Sequence, residues 1–109
     1  MEGKAALRRF RRYSAAARML ERAKDMHMGH VSDDLRSLGW CEDMLEDAWR
    51  EVGDLEELAG DRSASLVASH FLLLDDWRTA ASEGGLSTDK AKKLAYAALR
   101  LLDAREEER

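Results

Sequence analysis

Apolar residues recur at three- and four-residue steps along almost the whole of this chain, and glycine is its main punctuation. Proline, which ends or kinks a helix, is absent from all 109 positions. A chain with this period and no proline is predicted to be all-α, and its turn residues divide it into four helices. The first is expected over about 4–28, where Ala6, Phe10, Tyr13, Ala17, Leu20 and His27 share a face and Gly29 suits a left-handed C-terminal position. The second is expected over 33–59. Ser32 or Asp33 caps it, Asp33 and Asp34 suit its macrodipole, and Leu38, Cys41, Leu45, Ala48, Val52, Leu55 and Ala59 form its core stripe. Gly39 and Gly53 fall inside it, each costing about 1 kcal/mol against alanine and marking a place for a bend.

Gly60 separates this helix from a third over 63–82. There Leu66, Val67, His70, Phe71, Leu73, Leu74, Trp77, Ala80 and Ala81 cover about half the circumference, which predicts the most buried helix. Gly84 and Gly85 stop it. Ser87 or Thr88 caps a fourth helix over 88–107, with Ala91, Leu94, Ala95, Ala98, Leu101 and Leu102 as its stripe. Long helices joined by short connections predict a single domain spanning 1–109, an antiparallel up-down four-helix bundle.

Composition narrows the function. With 45% apolar and 37% charged residues the chain reads as globular, and one cysteine excludes a disulfide framework or a Cys-cluster zinc site. The longest uncharged run, 63–74, is 12 residues, too short to cross a bilayer, so no membrane partner is expected. The first residues lack the apolar stretch of a secretory signal, and with a lone thiol the expected compartment is the cytoplasm. Ile, Asn and Gln are also missing, and the helical fold does not explain that.

The formal charge of −4 conceals an asymmetry: residues 1–25 carry +5 and the remainder −9. At about 100° per residue, Lys4, Arg8, Arg11, Arg12, Arg18 and Arg22 fall on one arc of the first helix, opposite the Phe10/Tyr13/Ala17 stripe, with Met19 and Met26 among them. On the second helix Asp43, Glu46, Asp47, Asp54 and Glu57 lie opposite the core stripe, interrupted only by Arg50. Trp40 and Leu58 sit at the edge of that acidic arc and Met44 lies between it and the core, an anchor-and-rim composition suited to protein binding. Three roles compete for the basic arc: a solvated face, a phosphate-binding surface for nucleic acid, and a docking face for an acidic protein, including another copy of this chain. No aromatic residue interleaves with the arginines, and no helix-turn-helix, zinc-finger or RNA-binding signature is present. Protein recognition is therefore preferred.

Residues with catalytic or ligand chemistry are few. His27 and His30 form an H-x-x-H pair that suits only a weak surface metal site, and helix rises place His70 too far away to join them. His70 and Cys41 are read as buried polar residues. The functional alternatives are haem ligation by His70, or a Cys41 nucleophile with His70 as base. No C-x-x-C-H motif supports the first, and nothing evident would orient the histidine in the second. Glu42-Asp43-x-x-Glu46 resembles the first half of the magnesium site of all-α nucleotide pyrophosphohydrolases, but the second half has no counterpart. No catalytic residue and no cofactor are expected. The sequence predicts a non-catalytic protein that binds a macromolecule, in the manner of a small regulatory or inhibitory protein of a mobile element. A designed scaffold with no native partner fits the same features.

Overall fold

The structure is a computed structural model, which describes the backbone of residues 4–25 and 31–108 and the side chains of 4–23 and 39–108. Among the described residues there are five helices and no strand. Helix α1, Ala5–Asp25, buries Ala6, Phe10, Tyr13 and Ala17, four members of the expected stripe. The Asp103 carboxylate accepts the Ala6 N–H at 2.8 Å, closing the start of α1 from the far end of the chain. Helix α2, Val31–Ala59, runs through Gly39 and Gly53 unbroken, and beyond the adjoining helix backbone no atom lies within 4 Å of the space a Cβ would fill at either. It starts at Val31, so Ser32 and Asp33 lie within its first turn rather than ahead of it. Gly60, at φ +90, ends it in a conformation that glycine adopts without steric cost.

The expected third helix over 63–82 is broken. Helix α3, Asp61–Val67, passes into a π-helical turn over Ala68–Leu72, closed by the Leu73 N–H donating to the Ala68 carbonyl at 2.9 Å. Leu74 then takes φ 64, rare for a leucine, and the Asp75 N–H turns back to the Ser69 carbonyl at 2.9 Å. Helix α4, Trp77–Glu83, starts afresh, its N-cap Asp76 accepting the Thr79 N–H at 2.7 Å. The apolar face of 63–82 is too wide for one straight helix to bury. The break keeps Phe71 and Leu72 inside, turns Trp77 onto His70 and leaves Leu73 59% exposed.

At the end of α4, Gly85 sits at φ 68, its N–H bonds the Ser82 carbonyl, and the Leu86 N–H reaches Ala81, the paired bonds of a Schellman motif. Ser87 caps helix α5, Thr88–Glu107, accepting the Lys90 N–H at 3.2 Å. Of its expected stripe, Ala91, Ala95, Ala98 and Leu102 are buried, while Leu101 is exposed.

One core draws on every helix: Phe10 from α1, Val52 and Leu55 from α2, Leu66 and Val67 from α3, Ala80 and Ala81 from α4, Leu99 and Leu102 from α5. Helices α1 and α2 run antiparallel, since Arg9 meets Glu51 while Met19 lies beside Cys41. The α1–α5 pairs behave differently: Ala6 joins Asp103 and Arg9 joins Glu106, so both helices advance together there. No described helix is long and apolar enough to cross a membrane.

Candidate functional site

Helix α1 presents Arg8, Arg11, Arg12, Arg18 and Arg22 to solvent, with Lys4 exposed just ahead of it and Met19 exposed among the arginines. None of the five arginines pairs with a carboxylate among the described residues, whose ion pairs include Arg9–Glu51, Arg9–Glu106, Arg50–Asp47 and Arg105–Asp54. Arg9 belongs to a different surface. Its guanidinium donates to Glu51 at 2.7 Å and Glu106 at 2.5 Å, and the Tyr13 hydroxyl donates to the same Glu51 carboxylate. The hydrogen bond to Glu51 drives the Arg9 pKa above its ordinary value, and burial with the same carboxylate raises that of Tyr13. The sequence reading missed this cluster as a unit. The available signal was angular: Arg9 falls off the basic arc, beside Tyr13.

Helix α2 exposes Glu42, Asp43, Glu46, Asp47 and Glu57, while Asp54 is half-buried and faces Arg105 at 3.7 Å. Arg50 is turned to Asp47 at 3.3 Å, so the one cation on this face among the described side chains is neutralised locally. Trp40 is 55% exposed. Met44 and Leu58 are half-buried against the core. Trp40 and Leu58 stand 18 residues apart on one helix, about 27 Å, so the structure does not gather them into one patch. Trp49, which the sequence reading passed over, is 46% exposed. Together with Leu20 and Leu45 it floors an open groove of about 560 Å³ between α1 and α2, rimmed by Glu42, Glu46 and Arg50.

His70 is half-buried, a correction to its expected full burial: the π-helical turn carries it to the surface edge of the core. Its Nδ1–H donates to the Asp75 carbonyl at 2.9 Å, which fixes the tautomer because a carbonyl only accepts. The ring stacks on Trp77 at 3.8 Å and meets Phe71 edge-on at 4.9 Å. Burial lowers its pKa, with Arg18 and Lys92 adding to the effect; the Asp75 carbonyl and Asp76 oppose it. Cys41 is fully buried as expected, its Sγ 3.9 Å from Met19 Sδ, and burial pushes the thiol pKa up, away from the reactive thiolate. His27 and His30 lie outside the described residues. Among those described, no group of three His, Cys, Asp or Glu side chains is arranged to hold a metal ion.

No protein-family model matches this chain, and no curated protein or solved structure matches it either.

Proposed function

We propose that this chain is a non-catalytic helical protein that recognises an acidic protein surface through the arginine face of α1. In the fold we propose for it, four helical arms pack as a bundle, the third split at 73–76. One observation carries it: Arg8, Arg11, Arg12, Arg18 and Arg22 are exposed along about 21 Å of one helix and have no carboxylate partner among the described residues. Arginines that stabilise this fold, such as Arg9, are tied to carboxylates instead. The polar residues suited to chemistry are committed elsewhere, Tyr13 to Glu51, His70 to Asp75 and Trp77, and Cys41 to the interior. That supports a binding role over catalysis.

The test is capture by the tagged full-length chain from its source cell. Reversing Arg8, Arg11, Arg12 and Arg18 to Glu is expected to abolish capture of an acidic protein while the helical circular dichroism stays unchanged. Capture that survives reversal removes α1 from the site. Capture that disappears with nuclease, together with probe affinity whose logarithm falls linearly with log salt, would instead establish nucleic-acid binding.

A further inference from the structure

We propose that a second copy of this chain is an acidic partner of α1, docking through its α2 face; this rests on reading α1 as a docking face. The two faces match in length and spacing. Arg8 to Arg22 spans fifteen residues, and so does Asp43 to Glu57. A shift of 35 positions sets Arg8 on Asp43, Arg11 on Glu46, Arg12 on Asp47 and Arg22 on Glu57, with Arg18 one residue short of Asp54. The same shift sets Ala15, small, exposed and uncharged, on Arg50, the one cation between Asp43 and Glu57. Arg50 therefore meets no like charge in this register.

This register runs in one direction along both helices. Within a single chain α1 and α2 already pack against each other, Arg9 meeting Glu51 and Met19 lying beside Cys41, and both charged faces turn to solvent away from that contact, so they cannot pair with each other. Only α1 of one copy lying along α2 of another can satisfy the register. The arginines, Asp43, Glu46, Asp47 and Glu57 are all exposed, so neither face has to be uncovered first. Each copy carries one face of each sign. The contact is thus between unlike surfaces, which closes when both pairings form at once and otherwise extends.

A helix strip about 21 Å long and about 10 Å wide is far smaller than the roughly 800 Å² per partner of stable complexes. The association is accordingly weak, concentration-dependent and sensitive to salt, because exposed charges are screened within about 3 Å at 1 M.

Sedimentation equilibrium of the full chain at low salt reads this directly. The mean mass is expected to rise with concentration above the 12.3 kDa of one chain and to return to it at high salt. A variant carrying Arg8, Arg11 and Arg12 all changed to Glu has two acidic faces and should stay at one-chain mass. A second, with Asp43, Glu46 and Asp47 changed to Lys, has two basic faces and should do the same. Mixing the two is expected to restore association, which loss through misfolding would not. A native chain that stays at one-chain mass throughout, or a mixture that fails to associate, overturns the proposal. Should the native chain stay monomeric while capture of a foreign acidic protein still needs the arginines, self-docking falls and the reading of α1 stands. Self-association untouched by the arginine reversals overturns self-docking through α1, and capture that also survives them overturns the reading of α1 as well.

Discussion

Asp103 holds the start of α1. It is 4% exposed, one oxygen accepts the Ala6 N–H, and the other has no partner among the described residues. Helix α1 has no acidic residue in its own first turn, so Asp103 supplies the negative charge that the helix N-terminus favours. Asp103→Ala is expected to lower stability to urea by about 1–3 kcal/mol, and Asp103→Asn, which keeps an acceptor oxygen, by less. A loss under about 0.5 kcal/mol for the alanine variant would show that the bond contributes nothing. His70 makes a prediction of opposite character, in pH. Its folded pKa is lowered from 6.5, so below that value the unfolded chain takes up the proton more readily than the folded one. Stability should therefore fall as pH drops through 6.5 and level off below the folded pKa. His70→Gln should remove that part of the slope, and identical urea midpoints across pH for both proteins would refute it. Neither residue announced its partner in the sequence. Asp103 sits beside a charged tail and looks solvated, and both partners are backbone groups that no residue pattern displays.

Where a single helix was expected over 63–82, the chain divides its apolar residues between two directions. Leu72 is buried and Leu73 is exposed, although a continuous helix would place Leu73 in the core stripe. Leu72→Ala should cost about 2–5 kcal/mol, as for a buried leucine, and Leu73→Ala less than about 0.5 kcal/mol. Comparable losses in denaturant midpoint for the two would favour an unbroken helix. Much at this scale was legible: the basic and acidic faces of α1 and α2, the glycine stop after α4 and the Ser87 cap all follow from local pattern. The break was partly legible as well. Asp76 followed three residues later by Thr79 is an N-cap pattern, but the apolar period running through it was stronger. What tips the balance is tertiary, the stacking of Trp77 on His70 and its contact with Tyr96 at 5.7 Å, and a helical wheel contains neither.

Across the whole molecule, charge divides by what surrounds it rather than by sign. Exposed arginines and carboxylates on α1 and α2 are mostly left to solvent, whereas Arg9, Glu51, Tyr13 and Glu106 tie three helices together where α1, α2 and α5 meet. Helical periodicity finds the first group, because a wheel reports direction from one axis. It misses the second, because joining positions 9, 51 and 106 requires knowing how three axes are arranged. The two groups should differ in energy. The Glu51 side chain is 16% exposed and accepts from two residues, so Glu51→Ala strands the Tyr13 hydroxyl and part of the Arg9 guanidinium and should cost about 1–3 kcal/mol. Asp47 pairs with Arg50 where both side chains are more than half exposed, and Asp47→Ala should stay within about 0.5 kcal/mol. The Glu51 loss should also shrink when Tyr13 is already Phe, since a double-mutant cycle isolates the coupling between them. Urea denaturation of the four proteins in that cycle, with Asp47→Ala alongside, decides it: equal losses at Glu51 and Asp47 would mean that the three-helix junction contributes no more than a surface pair.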